Sequence, residues 1–248
     1  MIVQEFSSYY FLIEQHEHAR LSAAAAAHVN NPRWKDENKW NSLLYAIRLH
    51  DNAWIPLDQV VSGPAGGQPY SFVDYPLEEK LEAYKKGIEA AGKEDLYSGT
   101  LLSMHYASFL KNDTSAAGVS FFEGEQKRQK DWKKRVTGAN RLDQHLDILQ
   151  FFDDVSLYAC MNKAGTPKSE EVSWFQNGFR HRFSFLGKKK VYPLWQDSSA
   201  VKMKPSPFSE AFDFTIQGWK LPKDVWQNGQ KTIHTAELQT LTQEIRFV

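Results

Sequence analysis

Five residues in this chain have side chains suited to metal chemistry and sit where apolar ones are expected: His18, His50, Asp51, His105 and Asp153. His18 shares a helical line with Phe11, Gln15, Ser22 and Ala25. Asp51 continues the stripe of Trp40, Leu44, Ile47 and Trp54, with His50 on its edge. His105 falls among Leu101, Leu102 and Phe109. Asp153 falls among Leu142, Leu146, Leu149, Ser156, Leu157 and Cys160. Burying imidazoles and carboxylates is costly unless they hydrogen-bond or bind a metal. Groups on separate helices can converge in a bundle core, where helical proteins build metal sites. Each residue alone also has a plainer reading, a core histidine or an aspartate satisfied by local hydrogen bonds. Four helices carrying such groups together favour a metal. Nitrogen and oxygen donors without thiolate suit Mn, Fe, Zn or Co, and such a cation polarises phosphoryl or carbonyl oxygens. Asp154 aligns instead with Asp147, Gln150 and Tyr158, a polar face, and is expected in solvent. His145, two turns before Asp153, is a weaker candidate.

These residues need helices to hold them. The pattern predicts helices over residues 7–29, 37–54, 77–92, 95–111 and 139–162. A break falls at Asn30, Asn31 and Pro32, and Pro56 ends the second helix. Residues 56–76 are rich in Pro and Gly and read as a long loop near the mouth of the site. Tyr70 and Phe72 are expected to line a substrate pocket with Gln15, Trp54 and His145. Residues 123–135 carry Lys127, Arg128, Lys130, Lys133, Lys134 and Arg135, a solvated helix face or a phosphate-attracting rim. Beyond Gly165, Phe179, His181, Phe183 and Phe185 alternate with polar residues as in a strand. So do Phe212, Phe214 and Ile216. The expected fold is mainly α: a helical metal-site domain over 1–163, with a β-rich part over 164–248 packed on it.

Composition narrows the function classes. The chain has 248 residues, 14% of them aromatic, enough for a large packed core. Lys plus Arg and Asp plus Glu are both 30, so the net charge is zero. That disfavours a nucleic-acid polymer or an anionic membrane as partner and favours a small-molecule substrate. Cys160 is the sole cysteine, so there is no intrachain disulfide and no thiolate zinc knuckle. No apolar run approaches the roughly 20 residues of a membrane span. The first ten residues lack the pattern of a signal peptide. A cytoplasmic location is expected.

The order His18, His50-Asp51, Asp153 resembles the H…HD…D signature of the HD-domain superfamily, metal-dependent phosphohydrolases with a helical core. Gln15–Ala19, Ala46–Trp54, Ser103–His105 and Asp153–Leu157 also resemble an uncharacterised bacterial family of about this length. So do the loop bearing Gly67, Pro69 and Phe72 and the Pro207-Phe208 segment. The HD resemblance implies an HD-like bundle with His18, His50, Asp51 and Asp153 as metal ligands. It puts His105 where some members hold a second metal or a phosphate, and makes Asp51 and His105 the residues to carry chemistry. Asn52 departs from the acidic residue often found after the pair, which leaves a proton-transfer role there without its usual group. The implied function is hydrolysis of a small phosphorylated metabolite or nucleotide. The alternatives are a di-iron oxygenase, which would need His145 as a further ligand, and a non-catalytic ligand-binding protein. Neither a Gly-x-Ser-x-Gly elbow nor a Lys-Ser/Thr phosphate loop is present.

Overall fold

The computed structural model describes residues 1–29, 39–64, 66–227 and 232–248. The chain begins not with a helix but with strands β1 (Ile2–Glu5) and β2 (Tyr9–Ile13). Helix α1 starts only at Gln15 and runs to Ala27. This corrects the helix expected over 7–29. Tyr9–Ile13 is an unbroken apolar run because β2 is a central strand, paired with β1 on one side and with β6 (Phe212–Pro222) on the other. Its two faces enter different cores: Phe11 and Ile13 face the helices, whereas Tyr10 and Leu12 pack with Val61, Leu221, Trp226 and Ile233. A strand buried on both faces loses the alternation that marks strands in sequence.

Next come α2 (Trp40–Leu49), a 3₁₀ turn at Asn52–Trp54, the short α3 (Ile55–Asp58) and β3 (Val60–Ser62). The second helix therefore ends before the His-Asp pair, and Pro56 opens α3 rather than closing α2. The Asn30–Pro32 break lies outside the described residues. Helices α4 (Leu77–Glu94), α5 (Leu96–Phe109) and α7 (Leu142–Met161) lie close to the expected bounds, and α6 (Ala116–Trp132), for which no bounds were expected, carries much of the charged run. The chain ends with α8 (Ser173–Gln176), β4 (Tyr192–Trp195), β5 (Ala200–Lys204), β6, α9 (Lys223–Gln227), β7 (Thr232–His234) and β8 (Gln239–Phe247).

The strands form a six-stranded sheet in the order β1-β2-β6-β8-β5-β4, and β3 pairs with β7. A mainly α, HD-like bundle is thus not what the chain folds into. The sheet draws strands from both ends of the sequence, and α1 and α7 pack against it. Residues 179–185 are not a strand either. They form an irregular segment ending in a 3₁₀ turn at Ser184–Leu186. Phe179 and Phe183 are fully buried and pack edge-on against Phe151 of α7. Burying each large apolar side chain contributes about 1.5–3 kcal/mol, enough to override the alternation of the segment.

Two contacts fix the turn that carries the site. A Cβ on Gly87 of α4 would lie 2.7 Å from the Ala53 methyl, so α4 approaches this turn as closely as a side chain allows. The Trp54 ring meets Tyr75 and Tyr84 edge-on, at 5.5 and 5.9 Å between centroids.

Candidate metal centre

Helices α1, α5 and α7 and the end of α2 bring His18, His50, Asp51, His105 and Asp153 together. His18, His50 and Asp51 each offer a ligand atom within 4.8 Å of the others, and so do His50, His105 and Asp153. His50 belongs to both groups. All five residues are buried. His50 caps α2 in helical geometry, whereas Asp51 leaves it at φ −121°, ψ 17°. That bend turns the Asp51 carboxylate toward α1, where Oδ2 lies 2.7 Å from His18 Nε2 and accepts from Gln15 Nε2 at 2.9 Å.

The outer nitrogens of two imidazoles are engaged by the protein. His50 Nδ1 donates to the Ile47 carbonyl at 2.7 Å. His18 Nδ1 lies 2.9 Å from Ser156 Oγ. Ser22 Oγ lies 2.7 Å from Ser156 Oγ and donates to the Phe152 carbonyl, and Ser156 Oγ reaches the Asp153 carbonyl. Ser156 Oγ thus holds the outer nitrogen of the His18 ring, whichever of the two carries the proton. Both rings therefore turn Nε2 inward, at carboxylates: His18 toward Asp51, and His50 toward Asp153 Oδ1 at 3.3 Å. A neutral imidazole lone pair facing a carboxylate oxygen is repulsive unless a proton or a cation lies between them.

The titration behaviour follows this geometry. Burial opposes charge on His50, but the Asp153 carboxylate and then Asp51 hold its pKa up at about 9. Burial likewise opposes the Asp153 charge, yet His50 and the neighbouring imidazoles hold it down at about 2. His105 lacks so close a partner, and burial pulls it down to about 4. Its Nε2 is 3.8 Å from Asp153 Oδ2, and neither ring nitrogen has a hydrogen bond.

These residues fit a divalent cation. His50 Nε2 is a buried donor atom without a hydrogen-bond partner. With His50 giving up its proton, as metal binding requires, three neutral imidazoles and two carboxylates carry a net charge of −2, and they are the hard-to-borderline donors that Mn, Fe, Zn or Co accept. The Ile47 and Ser156 contacts fix tautomer and ring orientation, as partners of metal-bound histidines do.

One side of the cluster opens on a cavity of about 780 Å³, which His18 and His50 do not line. Gln15, Trp54 and Phe72 line it, as do Asp51, His105 and Asp153. Tyr70 does not, and packs on Tyr75 at 6.1 Å between centroids. His145 lies outside both donor groups and is hydrogen-bonded to the Tyr97 hydroxyl at 2.9 Å. The 56–76 loop is pinned down: Tyr70 N–H donates to Ser62, Phe72 N–H to Met1 and the Trp226 indole to Gly67. The basic run on α6 contributes nothing to the lining, and its Arg128 is paired with Glu125 and Glu89. The cations at the cavity are instead Lys80, Lys111 and Arg180, with His181 beside them, none singled out in the sequence. Asp154, expected in solvent, lines the cavity half-buried. Burial raises its pKa well above the usual carboxylate range, and Asp153 adds to the rise. Lys80 sits one turn before the buried Tyr84, a signal that was available in the sequence. Arg180 was masked by the false strand pattern.

No helix among the described residues is long and apolar enough to cross a membrane. No curated protein and no solved structure matches the chain. The comparisons do not reach the HD-domain superfamily. A family model described as "Protein of unknown function (DUF3891)" matches residues 1–223, and the chain belongs to that family.

Proposed function

We propose that this chain is a metal-dependent hydrolase of a small phosphorylated metabolite or nucleotide. The observation that carries the reading is a buried cluster of five nitrogen and oxygen donors, three of which, Asp51, His105 and Asp153, line one cavity. His18, His50, Asp51, His105 and Asp153 would hold the cation, of which Mn, Fe, Zn and Co all suit the donors. When bound, such a cation polarises a phosphoryl oxygen and makes water a better nucleophile at neutral pH. The H…HD…D order of these residues agrees with that chemistry, although the fold around them differs.

The chain's own groups account for the rest. Ser156 and the Ile47 carbonyl hold the His18 and His50 rings in one orientation. His105, kept neutral at pH 7 by burial, keeps a ring lone pair free for the cation without adding charge. Gln15 steadies Asp51 through Nε2, and its buried Oε1 has no partner of its own. Trp54, Tyr84 and Leu157 line the walls and limit water around the reacting atoms. Zero net charge agrees with a small substrate rather than a nucleic-acid polymer, and the lone buried Cys160 agrees with a cytoplasmic setting. The oxygenase alternative has less support, because His145 is engaged with Tyr97.

The test is elemental analysis of the purified protein, followed by a panel of phosphomonoesters, phosphodiesters and nucleotides with Asp51→Asn as control. Metal content near one or two ions per chain, with turnover abolished in Asp51→Asn, is expected. Turnover that survives in the variant excludes the mechanism, and oxygen consumption without phosphate release moves the reading to an oxygenase.

A further inference from the structure

The cavity also carries cations, a half-buried Lys80 and an exposed Arg180. Lys80 of α4 and Arg180, four residues past the end of α8, line it, and neither forms an ion pair with a carboxylate among the described residues. Among the described residues Lys80 Nζ donates only to the Phe72 carbonyl, at 3.2 Å. The Arg180 guanidinium lies over the Trp174 ring, 5.0 Å from its centroid. The acidic groups nearby are occupied or not engaged with these cations. Asp74 Oδ1 accepts from the Ser71 N–H and hydroxyl, and Asp113 Oδ1 accepts from the Ser115 N–H and hydroxyl. Asp154 senses the Arg180 charge but makes no ion pair with it. Burial lowers the pKa of Lys80, as expected of a half-buried ammonium without a counter-ion in contact. Much of the remaining lining is apolar: Tyr84, Phe109, Leu146, Leu157 and Trp174. Phe109 is 52% exposed, unusual for a phenylalanine, and so is open to a ligand in the cavity.

We infer that Lys80 and Arg180 form a second anion subsite, so that the substrate is a phosphate ester whose apolar body carries another anionic group at its far end. This rests on the reading that the reacting phosphate sits at the donor cluster. The subsite matches either a carboxylate or a phosphate. Arg180 offers a planar fork suited to both, stacked and ordered on Trp174, and Lys80 adds a point charge. The apolar lining calls for an apolar body on the same molecule.

Calorimetric titration of the Mn²⁺-loaded full chain with four non-hydrolysable probes tests it: phenylphosphonate, 4-carbamoylphenylphosphonate, 4-carboxyphenylphosphonate and 1,4-phenylenebisphosphonate. One or both two-anion probes should bind about tenfold or more tighter than the amide-ended probe. Whichever does shows whether the far group is a carboxylate or a phosphate. Lys80→Gln and Arg180→Gln should each remove most of that preference, and Arg180→Lys should restore part of it. Equal binding of the amide and both two-anion probes overturns the inference. So does a preference that survives the double variant, or failure of every probe to bind at millimolar concentration. Asp51→Asn reads the donor cluster separately. If it leaves all affinities unchanged while the two-anion preference stands, the subsite holds and the hydrolase reading fails.

Discussion

The backbone N–H of Gln15 donates to Asp58 Oδ2 at 2.6 Å, tying the first residue of α1 to the last of α3. No residue before α1 caps it with a side chain, so a carboxylate 43 positions away satisfies its first N–H. The other oxygen of Asp58 accepts from the Met1 ammonium at 2.6 Å. Asp58 thereby joins the helix of His18 to the turn of His50 and Asp51.

Asp58→Ala should cost about 3–5 kcal/mol of stability, because it leaves a buried ammonium and a helix N–H without partners. Thermal denaturation checks this. A loss under about 1 kcal/mol would show that water replaces the carboxylate at little cost.

The metal-free protein should be most stable near pH 6.5. His50, raised to about 9, contributes stability that is complete below its unfolded value near 6.5 and is lost as pH rises through 9. His105, lowered to about 4, contributes stability that is present above 6.5 and lost as pH falls toward 4. Melting curves in chelator from pH 4 to 9.5 should therefore pass through a maximum. A monotonic profile contradicts the geometry around His50.

His50 serves both donor groups and His105 only one. His50→Ala should weaken metal binding by more than about 100-fold, beyond what loss of an outer partner costs. His105→Ala should be milder. Equilibrium dialysis with Mn²⁺ and Zn²⁺ ranks the two, and the reverse order would sink this assignment.

Ser156→Ala removes the hydrogen-bond partner of His18 Nδ1 without touching a ligand atom. Metal affinity should fall by about 10–100-fold while the fold persists by circular dichroism. Unchanged affinity would mean that Ser156 does not orient the ring.

Gly87→Ala should destabilise the protein by about 1–3 kcal/mol through overpacking against Ala53, despite the better helix propensity of alanine. Ala53→Gly in the same chain should recover part of the loss, and a denaturant series measures both.

The sequence revealed the site better than the fold. A polar residue interrupting an apolar helical stripe is a local signal, and His18, His105 and Asp153 do lie on helices with their side chains buried. The pairing of β2 with β6 leaves no such trace, since Tyr10 meets Leu221 across more than two hundred residues. The apolar run of β2 matched a helix equally well because both its faces are buried. Phe179 and Phe183 imitate a strand, yet they fill space around Phe151. Lys80 and Arg180 carry ordinary surface residue types, and only the three-dimensional cavity relates them.

The strand that leads into α1 is held by a strand made near the end of the chain. His18 follows β2 by only a few residues, so its seat depends on a partner that leaves the ribosome late. During synthesis, a chain that has already emerged as far as Asp153 contains every donor but lacks the strand that fastens the first of them. The donor cluster is therefore closed by a segment that carries none of its donors.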